Sequence, residues 1–212
     1  MPRFPTLTLV PFTEELLAAV QPWFQHPQVR HRLGGPEWPV RELRLLHVKG
    51  GQEFRGRLVL RVHSWVALDA AGEPAAKIGG DVYDRWSRYD GSRPDRPGVS
   101  AIEPGPAMGV SYVVDPARWR QGLGRAVLHA AVSHPSVRDV RLFAAGIDAD
   151  NQASRRCAAA AGLAPEVDEP DWEDTVYYVL RRSTPPNDDQ PGIDRRGAPR
   201  TGSAWPSPVA DI

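Results

Sequence analysis

Two glycines two residues apart, Gly122 and Gly124, stand where an apolar run ends and an amphipathic one begins, within Val113-Val114-Asp115-Pro116-Ala117-Arg118-Trp119-Arg120-Gln121-Gly122-Leu123-Gly124-Arg125. With no side chains there, the backbone amides can approach an anion closely. A helix starting at this point adds unpaired N–H groups and the positive end of its dipole. Leu123, Val127, Ala130 and Ala131 share one face of that predicted helix. The chemistry on offer is a cradle for a pyrophosphate, although a glycine pair before a helix also describes a plain tight connection. Residue type excludes two nucleotide loops. Arg125-Ala126 follows Gly124 where a Walker loop needs Lys and Ser or Thr, and Val127 stands where a dinucleotide loop takes a third small residue.

A second group follows the next apolar run. In Asp150-Asn151-Gln152-Ala153-Ser154-Arg155-Arg156-Cys157, either Asp150 or Asn151 caps a helix with Ala153, Cys157 and Ala160 on its small face and Gly162 at its end. By itself this is a well-capped, packed helix. The two groups together, in the order strand, glycine turn, helix, strand, then Asn and Ser at helical spacing before Gly162-Leu163, resemble the GNAT N-acetyltransferase superfamily. In that superfamily Gln/Arg-x-x-Gly-x-Gly/Ala binds the pyrophosphate of CoA, and a later Asn with a following Ser or Ala lines the same molecule. The resemblance covers residues 6–182 in element order, with the specific motifs in 108–163.

The resemblance implies acetyl-CoA as co-substrate, with no metal. It implies that amides of Arg120, Gln121, Gly122, Leu123, Gly124 and Arg125 take the pyrophosphate, that Val113 and Val114 border the pantetheine arm, and that Asn151 and Ser154 contact the arm or its phosphates. An N–H at Val113 or Val114 would polarise the thioester carbonyl. Trp119 departs from the Gln or Arg usual at its place. The family's thiolate-protonating Tyr, seven residues after the Asn, corresponds to Ala158, and the strand Asp of aminoglycoside acetyltransferases corresponds to Ser111. The usual acid is therefore missing, and the base stays open among Ser111, Tyr112, Glu103 and Asp81, or a water relay.

The acceptor side rests on two segments. His26-Pro27-Gln28-Val29 and Leu33-Gly34-Gly35-Pro36-Glu37-Trp38 resemble the stretch that lines the acceptor in small-amine acetyltransferases, which implicates Glu37 and Trp38. Six acids without an intervening base, Glu166, Asp168, Glu169, Asp171, Glu173 and Asp174, lie before the last apolar run. At a pocket mouth, Asp171 and Glu173 would favour a cationic acceptor such as an aminoglycoside, a polyamine or a peptide N-terminus. The expected reaction is direct attack of a small primary amine on acetyl-CoA in a ternary complex. A non-catalytic acyl-CoA-sensing module and a protein N-terminal acetyltransferase are the alternatives.

These residues need a scaffold. The patterning predicts a strand at 7–10, a helix after Thr13, a loop at 26–39, a hairpin of 64–68 and 75–82, and a long polar loop at 83–106. It then predicts strand 108–114, helix 122–132, strand 140–147, helix 153–161 and strand 175–180. The mixture gives an α/β (α+β) fold, and the resemblance makes it a single GNAT-like domain, residues 1–182, with a mixed, mostly antiparallel sheet flanked by helices. Pro185-Pro186, Asp188-Asp189 and Arg195-Arg196 mark 183–212 as a disordered tail. With 26 basic and 26 acidic residues the chain lacks the field that would hold a nucleic acid. No apolar run approaches the roughly 20 residues of a membrane span, and one cysteine in 212 residues suits a reducing cytoplasm. A monomer and a homodimer are both compatible with this composition.

Overall fold

The computed structural model describes residues 4–89 and 98–182; the expected tail at 183–212 and part of the expected loop at 83–106 lie outside them. In chain order the elements are β1 (Thr8–Pro11), α1 (Glu14–Val20), α2 (Pro27–Leu33), α3 (Glu37–Leu45), β2 (Glu53–Phe54), β3 (Arg57–Leu68) and β4 (Pro74–Tyr89). They continue with β5 (Val99–Gly109), β6 (Ser111–Val114), α4 (Leu123–Val132), β7 (Leu142–Asp148), α5 (Gln152–Ala160), β8 (Ala164–Pro165) and β9 (Thr175–Arg181). One sheet runs β1-β3-β4-β5-β7-β9-β8, with β2 on β3 and β6 on β4. Its pairings are antiparallel except β5 with β7. This is the mixed, mostly antiparallel sheet expected.

Side chains alternate across the strands, so each face of the sheet carries its own core. Val66 and Val113 pack with Val20, Trp23 and Phe24 on the α1–α3 face. Trp65 and Ala67, on either side of Val66 in sequence, pack with Val127, Leu128, Phe143 and Ala158 on the α4–α5 face.

Three expectations are corrected. Residues 26–39 are mostly helical rather than a loop: Pro27 is the first residue of α2, Gly34 (φ 99°) ends it, and Pro36 caps α3. The polar stretch 83–106 is largely strand, because β4 runs on to Tyr89 and β5 begins at Val99, pairing back across Arg85–Pro104 and Trp86–Glu103. The strand expected over 108–114 breaks at Val110, and that break shapes the site. A Cβ on Gly80 would lie 1.6 Å from the Gly109 carbonyl oxygen, so only glycine lets β4 and β5 approach this closely. There Val110 donates its N–H to Ala144 (2.7 Å). Beyond this point β6 pairs with β4, and β7 pairs with β9. The sheet thus splits between β6 and β7.

Candidate active site

The split exposes backbone groups of known direction. Asp115 donates to the Ala75 carbonyl (3.1 Å). Antiparallel alternation therefore turns the Val113 and Ser111 N–H groups toward β4, and those of Tyr112 and Val114 toward the split. Of the two strand residues expected to polarise a carbonyl, Val114 presents its N–H to the opening and Val113 does not. The Val114 carbonyl accepts the Trp119 indole N–H (3.0 Å), and His26 packs edge-on to that indole at 4.6 Å. Trp119 braces the turn, which gives its departure from the family pattern a structural role.

The turn ends in a helix start suited to an anion. Arg120 (φ 66°) and Gly122 (φ 79°) are left-handed, and Gly122 caps α4. The first amide to find a partner within the helix is Ala126, on the Gly122 carbonyl (3.1 Å). The N–H groups of Leu123, Gly124 and Arg125 precede it and face out of the helix end. A Cβ on Gly124 would sit 2.9 Å from Cys157 Sγ and 3.5 Å from the Tyr112 ring, so this glycine allows α4 to close on α5. Asn151 Oδ1 accepts the Ser154 N–H (3.1 Å) and caps α5. The Tyr112 hydroxyl is buried, and burial reinforced by the Cys157 thiol pushes its pKa far above the ordinary tyrosine value. It is a neutral hydroxyl at any physiological pH, a donor rather than a base. Open amides, a left-handed glycine cap and a close-packed second helix together fit the pyrophosphate of CoA.

Arg32 of α2 crosses to the other lip of the split, donating to Asp148 Oδ2 (2.6 Å) and Asp150 Oδ2 (2.9 Å). The guanidinium holds Asp150 below the usual carboxylate range, so it sits over that carboxylate just before the α5 start. Arg32→Ala removes the cation that pairs with both carboxylates beside an anion cradle. It is expected to raise the KM for acetyl-CoA by about threefold to tenfold, an effect that narrows with added salt. Steady-state kinetics at two ionic strengths checks this.

On the opposite face the split opens into a cavity of about 290 Å³. Gly80, Gly109, Ser111 and Gly146 form its floor. Trp38 and Leu45 of α3 supply one wall, Tyr83 and Trp86 of β4 another, and Asp171 with Trp172 a third. Two of its carboxylates are committed to lysines. Glu42 holds the buried Lys77 ammonium through both oxygens (2.7 Å each) and accepts the Ser64 hydroxyl. Asp81 receives Lys49 (3.1 Å) and the Tyr83 hydroxyl (3.3 Å). Burial pushes the Lys77 pKa down, against the pull of Glu42.

The sequence candidates therefore separate. Asp81, Ser111, Trp38 and Asp171 meet at this cavity, whereas Tyr112 packs on the far face of the sheet. Glu103 is ion-paired with Arg181, away from the split. Glu37 is exposed at the start of α3. Glu173 lies near Arg55 (3.7 Å) and does not line the cavity. Of the six acids only Asp171 reaches the cavity, and Glu166 is taken by Arg181 (2.6 Å). Sequence reasoning missed Glu42, Lys49 and Lys77. A signal was available, because Lys49 and Lys77 are the only two lysines in an arginine-rich chain and both are paired with carboxylates of this cavity. Among the described residues no group of three or more His, Cys, Asp or Glu side chains could hold a metal ion.

Fold and site define a CoA-type acyltransferase, and comparison with known proteins gives the family. The family profile described as an acetyltransferase (GNAT) domain matches residues 6–164. The chain belongs to that family and is an N-acetyltransferase with acetyl-CoA as co-substrate. It is 32% identical over 108 residues to the uncharacterized N-acetyltransferase YfmK of Bacillus subtilis (strain 168), across 50% of this chain and 72% of that protein. It is also 32% identical over 153 residues to a mycothiol acetyltransferase of Nocardiopsis dassonvillei, across 68% of this chain but only 40% of that longer protein. In fold it is similar to the aminoglycoside acetyltransferase AAC(6')-Ib in complex with coenzyme A, with TM-score 0.61 and 18% identity over 84% of this chain and 95% of that one. An acetyltransferase from Thermus thermophilus shares the fold at TM-score 0.55 and 18% identity, over 84% and 97% of the two chains.

Proposed function

We propose that residues 6–182 form one catalytic domain that transfers an acetyl group from acetyl-CoA to the primary amine of a small acceptor, by direct attack in a ternary complex. The observation that carries this reading is the split between β6 and β7, which has the α4 amide cradle at one side and the cavity at the other. When bound, acetyl-CoA supplies an electrophilic thioester carbonyl at the split. The N–H groups of Tyr112 and Val114 are the preorganised donors for charge developing on that carbonyl oxygen. Asp81, next to Gly80 on the cavity floor, accepts the proton leaving the amine, directly or through one water, and Lys49 and Tyr83 fix its orientation. Holding both reactants across the split removes much of the entropy cost of their encounter. The lone cysteine suits a reducing compartment, and we take the cytoplasm as the site of action.

Initial rates of free-thiol release, measured with acetyl-CoA and an amine varied together, test the reading. Intersecting reciprocal plots are the expected result. Parallel plots, which signal a covalent acetyl-enzyme, or release that ignores the amine would overturn it.

A further inference from the structure

Resting on that placement of acetyl-CoA and deepening it, we infer that the Arg125 side chain is a ligand of the CoA pyrophosphate, and that Phe4, ahead of β1, is the residue that positions it. The argument begins with a cation set where a cation is disfavoured. Arg125 lies in the first turn of α4, and its side chain folds back over the helix start. A Cβ on Gly122 would lie 3.1 Å from its Nε and 3.2 Å from one of its terminal nitrogens, so the guanidinium rests on the α-carbon of the capping glycine. That is the positive end of the helix dipole, beside the open N–H groups of Leu123, Gly124 and Arg125.

Nothing in the protein answers this charge with an oxygen. Among the described residues the Arg125 guanidinium makes no ion pair, and its Nε is buried without a hydrogen-bond partner. Its charge meets the Phe4 ring at 5.5 Å, which attracts a cation without supplying an acceptor atom. Phe4 packs in turn on the His129 ring at 5.0 Å, one turn along α4 on the same face as Arg125. The segment before β1 thus holds the guanidinium on the helix start. Other arginines near the split are committed. Arg118 pairs with Asp69, and Arg32 with Asp148 and Asp150. A buried donor left open beside open amides calls for an anion with several oxygens, one that takes the amides and the guanidinium fork together. Both sets of donors meet at Gly122, so they address one anion, the pyrophosphate, and not the 3′-phosphate on the ribose.

The test is calorimetric binding of CoA and dephospho-CoA to the full chain, as wild type, Arg125→Met, Arg125→Lys and Phe4→Leu, with NMR of the Arg125 Nε–H group. Met keeps the stem of the side chain and removes the fork. Arg125→Met should weaken CoA and dephospho-CoA alike, by about tenfold, with a cooperative melt like that of the wild type. Arg125→Lys should recover part of the loss, because an ammonium cannot grip two oxygens in the same plane. In the wild type the Nε–H resonance should move with either ligand. Phe4→Leu should cost about threefold alone and nothing further in Arg125→Met, since it acts through the guanidinium. Equal losses from Phe4→Leu in both backgrounds would make its role merely structural and overturn that part. An unmoved Nε–H resonance, unchanged CoA affinity in Arg125→Met, or a loss seen with CoA but not dephospho-CoA overturns the pyrophosphate contact and leaves the placement of acetyl-CoA intact. If CoA does not bind the wild type, the reading beneath the inference fails instead.

Discussion

Gly124→Leu is expected to lower kcat/KM for acetyl-CoA by about 100-fold. Any side chain at this position has to displace the Cys157 thiol, and one that extends past Cβ the Tyr112 ring as well, or push the first turn of α4 away from α5. Either movement redirects the N–H groups of Leu123, Gly124 and Arg125. Hydrogen bonds to a charged group contribute about 1.5–3 kcal/mol each, so weakening one or two of them costs about 3 kcal/mol, close to a factor of 100. Wild-type-like far-UV circular dichroism and a cooperative melt would show that the loss is local. Gly124→Ala, which adds only the Cβ, should fall between wild type and Gly124→Leu. A Gly124→Leu enzyme that kept its affinity for acetyl-CoA would remove the cradle from the account.

Glu42→Leu is expected to destabilise the fold by about 3–5 kcal/mol, because it leaves the Lys77 ammonium buried without a counter-charge. Lys77 is 3% exposed and sits 5.0 Å from the Phe12 ring and 5.2 Å from the Trp38 ring. These rings attract a cation without neutralising it. The pair also joins α3 to β4, so its loss loosens the cavity wall that carries Trp38 and Leu45. For a domain of this size the cost corresponds to a fall in Tm of roughly 10 °C. The double variant Glu42→Leu/Lys77→Met should recover most of the loss, since apolar replacement of a whole buried pair is often neutral or better. Urea unfolding of the two variants checks both statements. A loss below about 1 kcal/mol in Glu42→Leu would mean that Lys77 is neutral in the native state.

The parts of the molecule legible in the sequence are those in which cause and effect are close along the chain. The glycine turn, α4, the Asn151 cap and α5 are each specified by residues within a few positions of one another, and the structure places them together. The helices α2 and α3 were hidden by their own punctuation. Pro27, Gly34, Pro36 and Pro39 read as loop residues, yet they occupy helix starts and a helix end. The outer halves of β4 and β5 were hidden by Arg, Asp and the Pro104-Gly105-Pro106 run, which lack the alternation of a half-buried strand. The acceptor cavity was least legible. Its Lys49–Asp81 and Glu42–Lys77 pairs span 32 and 35 residues, and they meet only because α3 folds back over the sheet. The acid run was unresolvable for the same reason. Which of Asp171, Glu173 and Glu166 faces the cavity depends on Arg55, far away in sequence, and on Arg181 of the following strand.

The central claim is that acetyl-CoA lies in the split between β6 and β7 with its pyrophosphate on the start of α4. Amide NMR of the full chain titrated with acetyl-CoA tests it most directly. The account predicts that the largest shifts fall on Tyr112, Val114, Leu123, Gly124 and Arg125, with Asn151 and Ser154 following. Saturable binding that left those amides unmoved and shifted others instead would contradict it.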